Sequence, residues 1–375
     1  MLTADSHPTV LWELTRLCDL HYLGCPSGAN EQRDPNELST YEAYKTIDQI
    51  AALRPRELII SGGDPLERDD VDQIIDYARR RGLDPSLVLT PSPDLTFDAI
   101  AKLQNNGLTS AVFSIDGSTA ATHESMHGVR GTFARTLRAM RWAGRVGLRV
   151  EVNTLVTRHN ANDLEAIVEL IRPFSITRWN VHFIVPVGAS RDLAMITASE
   201  VEQVFATLDR IRARETFAVR AVEAPHYRRF RVQQILLSRL AADGVEWGDF
   251  TGYADEDVSS REILDAALDG ARSFVYISHS GEVRPSELAP HSAGNLRYRP
   301  LGDIYRGSDL FVALRDPENL HGRCWQCDYR MLCGGSRARA YAMTGDLFGA
   351  DPLCAYEPNR DAAMPLVSHG REVST

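Results

Sequence analysis

The sequence has no cysteine between Cys25 and Cys324; two lie near the start, and Cys324, Cys327, Cys333 and Cys354 crowd the end. That distribution excludes a secreted disulfide scaffold, which would be smaller and more evenly stapled. Cysteines clustered in this way more often bind metal. A surplus of basic charge is also missing. The formal net charge is -10 and the pI about 5.6, which argues against nucleic acid as a general partner, because phosphate binding needs a basic face. The short pair Arg228–Arg229 reads as solvated surface. No apolar run approaches the roughly 18 residues of a membrane-spanning helix. The opening Met1-Leu2-Thr3-Ala4-Asp5 lacks the basic-then-apolar pattern of a signal peptide. A cytoplasmic protein with no membrane partner is expected. Internal repeats and low-complexity tracts are absent as well.

What is present is an ordinary globular composition, 43% hydrophobic and 25% charged over 375 residues, enough for one large domain and a smaller one. From residue 10 to about 185, short β-rich runs alternate with amphipathic stretches. Val10–Thr15, Glu57–Ser61, Ser86–Thr90, Ala111–Ser114, Arg149–Val156 and Trp179–Val185 read as strands. Tyr41–Leu53, Val71–Arg81, Phe97–Asn105, Phe133–Val146 and Asn162–Ile171 read as helices between them. This rhythm implies parallel strands joined by right-handed crossovers, with chemistry at their C-terminal ends. Further on, Ser199–Arg214 and Tyr227–Ala242 read as helices, Ala218–Ala224 as a possible seventh strand, and 243–260 as an acidic loop. Ser280-Gly281 between Phe274–Ser278 and Glu282–Arg284 signals a hairpin.

Two segments carry chemistry. After the first strand comes Cys18-Asp19-Leu20-His21-Tyr22-Leu23-Gly24-Cys25-Pro26, and near the end Cys324-Trp325-Gln326-Cys327, with five residues between Cys327 and Cys333 and twenty between Cys333 and Cys354. Four thiolates with no vacant position suit a closed 4Fe-4S site; tetrahedral zinc is the other reading of the same spacing. The N-terminal segment resembles the motif of radical SAM (S-adenosylmethionine) enzymes, with Cys18 and Cys25 at the first and third cysteine positions and Tyr22 at the second. Ser61-Gly62-Gly63-Asp64-Pro65 resembles the family's glycine-rich SAM motif, and Ser114-Ile115-Asp116-Gly117 falls where relatives approach the SAM ribose or methionine. Asn153 and Thr154 are weaker candidates for that pocket. The C-terminal segment resembles the auxiliary-cluster domain of SPASM/twitch proteins, which turns the balance there from zinc to iron–sulfur.

The resemblance covers about residues 8 to 358. It implies an α/β fold, a partial (β/α)6 radical SAM barrel followed by a small C-terminal α+β SPASM/twitch domain. The expected boundaries are 1–225 for the barrel, 226–270 for a helical linker, 271–360 for the cluster domain and 361–375 for a flexible tail. It further implies an oxidoreductase-like enzyme that reductively cleaves SAM and abstracts a substrate hydrogen. Its cofactors would be SAM, an N-terminal 4Fe-4S cluster on Cys18 and Cys25, and an auxiliary 4Fe-4S cluster on Cys324, Cys327, Cys333 and Cys354. Gly62, Gly63, Asp64, Ser114, Asp116 and Asn153 would line the SAM pocket. The branch it most resembles includes enzymes of haem and haem d1 synthesis, so a tetrapyrrole or peptide-derived substrate is implied, with an electron donor such as ferredoxin or flavodoxin. A non-catalytic binder that keeps the fold is the rival.

Tyr22 admits three readings: a natural loss, a substitution in an otherwise active enzyme, or a site whose third ligand comes from elsewhere, His21 being nearest in sequence. A phenol titrates near 10 and is a harder ligand than thiolate. No catalytic acid or base stands out. His226, His279 and Arg284 could face an acidic substrate, although loop histidines are more often satisfied locally. Met126 and His127 are ambiguous, and the five tryptophans favour core packing.

Overall fold

The computed structural model describes residues 7–20, 22, 32–243 and 273–358. Cys25, His21, the 244–260 part of the expected loop, most of the expected linker and the expected tail lie outside them. The chain alternates β1 (Thr9–Glu13), α1 (Thr40–Ala52), β2 (Glu57–Ser61), α2 (Val71–Arg80), β3 (Pro85–Val88), α3 (Phe97–Asn105), β4 (Ser110–Ser114), α4 (Ala120–His127), α5 (Thr132–Arg145), β5 (Arg149–Val156), α6 (Leu164–Ile171), β6 (Arg178–Phe183), α7 (Ala198–Arg214), β7 (Ala218–Val222) and α8 (His226–Asp243). Caps set several helix starts. Ser39 with Glu42, and Thr197 with Glu200, form capping boxes on α1 and α7, satisfying amide donors that the first turn leaves open.

β1 to β7 are parallel neighbours in sequence order. Both faces of such a sheet are covered, so its strands are nearly continuously apolar: Ser110, Ala111, Val112 and Phe113 of β4 are all buried. The outer face packs on Ile47, Ile74, Ile100, Met140, Ile167 and Leu208 of the helices. The inner face curls around a cavity of about 270 Å3 that takes residues from β1 through β8, including Leu11, Ile59, Val88, Val112, Asn153 and His182. The possible seventh strand is real, so the partial barrel has one strand more than the six expected.

The C-terminal unit continues the same sheet. β8 (Phe274–Ile277) lies parallel to β1 with Thr9 opposite Phe274, and β9 (Glu282–Arg284) and β10 (Gly294–Asn295) follow antiparallel. Trp12 and Trp179 are wholly buried as expected, whereas Trp325 is exposed. No helix among the described residues is long and apolar enough to cross a membrane.

His279, just beyond β8, clamps this joint. Its Nδ1 lies 2.8 Å from Glu13 Oε2 and its Nε2 2.9 Å from Asp34 Oδ2. Burial alone would lower its pKa, but these two carboxylates outweigh it and raise the value above the ordinary 6.5. A raised histidine stabilises fully below 6.5, and the contribution fades as pH climbs through the folded value. His279→Gln should therefore cost about 1–3 kcal/mol at pH 6 and less at pH 9; urea unfolding at both pH values measures the difference. The ring is satisfied locally, which removes His279 from the candidates facing substrate. His226 is also packed away, fully buried 3.7 Å from Asp351, its pKa lowered by burial to about 3. Arg284 pairs with Glu282.

Candidate active site

The loops after β1, β2 and β4 meet at the C-terminal ends of their strands. The Gly62-Gly63 turn lies directly on the segment that leads to Cys18. Gly63 N–H donates to Thr15 C=O at 2.7 Å, and Asp64 N–H to Leu17 C=O at 2.7 Å. A Cβ on Gly62, whose φ is +148°, would sit 2.4 Å from Thr15 O, and one on Gly63 would sit 2.3 Å from Leu17 O. The sequence suggested that these glycines make room for a ligand; the structure shows that they first make room for the cysteine loop. Asp64 is buried, accepts from Leu66 N–H at 3.0 Å, and is raised in pKa by that burial.

Cys18 is buried, its sulfur taking the Leu20 N–H at 3.3 Å. Amide donors of this kind stabilise a thiolate on iron. Tyr22 is different. Its hydroxyl is buried without a hydrogen-bond partner, and burial first, then Cys18, Asp64 and Asp116, push its pKa well above the usual phenol range. A phenol oxygen is also a harder ligand than a thiolate and a poorer match for iron–sulfur chemistry.

Behind Tyr22 stands α4. Thr119 caps it, accepting from Thr122 N–H at 3.2 Å, and Gly128 ends it at φ 71°. His123 and His127, four residues apart, share one face and stack with ring centroids 3.9 Å apart. Asp116 reaches His127 Nε2 at 2.7 Å with Oδ2, while Oδ1 accepts Leu155 N–H at 2.6 Å. Both oxygens are thus engaged inside the protein rather than open to a ribose. Ser114 is half-buried at the end of β4, and Asn153 accepts from Asn180 Nδ2 at 3.0 Å beside the cavity.

The cavity is lined by Ser61 and Asn153 among these residues and reaches Cys333, Gly334 and Gly335. Two groups that sequence reasoning passed over line it. His182 has a buried, unpartnered Nε2, and burial lowers its pKa to about 4. Glu287 lines the cavity with its side chain exposed to it; desolvation there, then Glu13 and Glu223, raise its pKa above the usual carboxylate range. The only sequence signal for Glu287 was its place after the hairpin, which gave no reason to single it out.

At the far end all four C-terminal cysteines line a hollow of about 30 Å3. Burial raises Cys327 to about 11 and Cys333 to about 12, and raises Cys354 as well. Neutral thiols crowded this way call for a cation that holds them as thiolates. Gly335 N–H donates to Cys333 Sγ at 3.3 Å, and Arg337 Nη2 lies 3.9 Å from Cys324 Sγ, donors that would stabilise a thiolate cluster.

A partial parallel barrel with a cysteine in the loop after its first strand and a cysteine-lined hollow beside its cavity defines a class of iron–sulfur enzyme. Residues 12–171 match the radical SAM superfamily. Over 362 residues the chain is 33% identical to the AdoMet-dependent heme synthase of Nitratidesulfovibrio vulgaris, covering 95% of each chain. With a likeness of that extent, the chain belongs to the radical SAM superfamily, and it is an enzyme that uses a 4Fe-4S cluster and S-adenosylmethionine. It is also 28% identical over 358 residues to the pre-heme d1 synthase of Dinoroseobacter shibae, covering 92% of this chain and 86% of that one. Among solved structures, Streptococcus suis SuiB bound to S-adenosylmethionine has the same fold, with a TM-score of 0.68 at 16% identity over 94% of this chain and 78% of that one.

Proposed function

We propose that this chain takes a hydrogen atom from a tetrapyrrole side chain held in the barrel cavity, using SAM bound at the ends of β2 and β4. The observation that carries the reading is the cavity itself, which runs from Ser61 at the end of β2 and Asn153 on β5 to Cys333. Likeness along almost the whole chain to haem-synthesis proteins favours a tetrapyrrole over a peptide. When bound, the N-terminal cluster supplies the electron that splits SAM into methionine and a 5'-deoxyadenosyl radical.

The protein's part is binding, orientation and exclusion of water. Cys18, with Cys25, holds the N-terminal cluster, and Cys324, Cys327, Cys333 and Cys354 hold the auxiliary one. Gly62 and Gly63 dock the cysteine loop; Asp64, Ser114 and Asn153 border the SAM pocket. Apolar walls from Leu11, Ile59, Val88 and Val112 suit a flat macrocycle. Glu287, its pKa raised by its surroundings, can give or take a proton at a substrate carboxylate. A ferredoxin or flavodoxin would serve as electron donor.

The test is anaerobic. The reconstituted chain is given reductant, SAM and an iron porphyrin deuterated on its propionates. Deuterium should appear in 5'-deoxyadenosine, and a glutamate–tyrosine peptide offered in place of the porphyrin should give none. Tyr22→Cys, run alongside, restores the third thiolate. If neither protein forms 5'-deoxyadenosine with both clusters loaded, the fold serves a non-catalytic binder instead.

A further inference from the structure

The N-terminal site described above has two cysteine positions and a phenol where a third donor is needed. Among the described residues, one set of three potential metal donors comes within 4.8 Å: Asp116, His123 and His127, all buried. Their hydrogen bonds decide which can donate a lone pair. Asp116 is a carboxylate that accepts from Leu155 N–H, so the His127 Nε2 facing its other oxygen at 2.7 Å carries the proton. His127 Nδ1 is then a bare lone pair, and it is buried with no partner. His123 is the reverse case. Asp116 N–H donates to its Nδ1 at 3.2 Å, which puts the proton on Nε2 and leaves no lone pair free.

From this we infer that His127 Nδ1 is the third protein ligand of the N-terminal iron–sulfur cluster, standing in for the thiolate that Tyr22 lacks. The inference rests on the proposed function above, since it supposes that the cluster forms. The Tyr22 ring meets the His127 ring edge-on at 4.4 Å, so the histidine touches the residue at the vacant motif position. A metal-bound histidine typically gives its other N–H to a carboxylate, which fixes tautomer and ring angle. Asp116 does this here, and is itself held because Asn160 Nδ2 donates to its carbonyl at 2.9 Å. His123, stacked on His127, fixes the ring from the other side. A buried lone pair without a hydrogen-bond partner is unfavourable, and iron would take it up with no proton displaced. Imidazole replaces thiolate on iron in other clusters and raises their potential.

The experiment uses the full chain grown on 15N-histidine, reconstituted anaerobically and reduced without SAM. No histidine is needed by the four-cysteine cluster, so a histidine nitrogen coupled to a reduced cluster in pulsed EPR reports the N-terminal one. The expected result is such a coupling, with about eight irons per chain. His127→Cys should keep the iron, lose the coupling and move the potential to more negative values. His127→Ala should fall to about four irons, the retained auxiliary cluster showing that the protein has folded. Absence of histidine coupling in a chain with about eight irons, or coupling that survives His127→Cys, overturns the inference. So does a chain that holds about four irons as it stands and about eight as Tyr22→Cys. That last outcome leaves the proposed function intact, whereas Tyr22→Cys with a full iron load and no SAM cleavage defeats the function itself.

Discussion

Arg339→Ala should lower stability by about 3–5 kcal/mol, the usual cost of stranding one member of a buried ion pair, and should loosen the auxiliary cluster. Arg339 is completely buried. Its guanidinium holds both oxygens of Asp351 at 2.9 and 3.1 Å and donates to Ile184 C=O at 3.0 Å and to Glu223 C=O. Those carbonyls follow β6 and β7, while Asp351 lies three residues before Cys354. One side chain therefore ties the cysteine segment to the barrel. Asp351 also accepts Ser336 N–H at 2.8 Å and Leu353 N–H at 3.1 Å, so losing the arginine leaves a charged carboxylate in a dry site. Arg339→Lys should recover little, because a point charge cannot span four acceptors. Thermal unfolding and iron content, read together, check this. A drop in melting temperature with the auxiliary cluster unaffected would mean that the brace does not position the cysteines.

Gly63→Ala should leave the fold and the auxiliary cluster in place yet reduce SAM cleavage by at least about 100-fold, the effect of an ångström-scale misplacement at a reacting centre. The added Cβ would lie 2.3 Å from Leu17 O, a backbone atom with no rotamer to escape through. Leu17 precedes Cys18, so relief of the clash moves the cysteine proposed to hold the N-terminal cluster. The measurement pairs 5'-deoxyadenosine yield with an iron count, expected to fall toward four per chain as the N-terminal cluster is lost. Full activity in this variant would show that the cysteine loop tolerates displacement.

Local patterning revealed most of the barrel. β2, β5, β9 and α3 fall at the expected bounds, because each has a clear period or firm punctuation. α4 was not foreseen. Its sequence, Ala-Ala-Thr-His-Glu-Ser-Met-His, has no apolar stripe, and it is a helix through its Thr119 cap and Gly128 stop. Overlooking α4 left His123 unread and His127 ambiguous. The usable signal was the spacing of two histidines four apart with a glutamate after the first, a pattern that puts both rings on one face. The likeness to a family located Cys18 and the glycine turn, but not the engagement of Asp116 by His127. That contact joins a strand end to a helix the sequence did not announce. The Arg339 brace was equally silent, since its partners lie 12, 116 and 155 positions away. Pairing of β8 with β1 likewise depends on residues far apart, and no local pattern encodes it.

That pairing bears on how the protein is made. In the chain β1 precedes the other strands of the sheet, and the strand that covers its outer edge, β8, comes only after β2 to β7, with Thr9 waiting for Phe274. Until then a short apolar strand shows an open row of amides and carbonyls, the kind of edge that recruits other chains. Pairings of such long sequence separation also form slowly. Nascent chains stalled before β8 should be the aggregation-prone species during synthesis, and arrival of the hairpin should act as the release step.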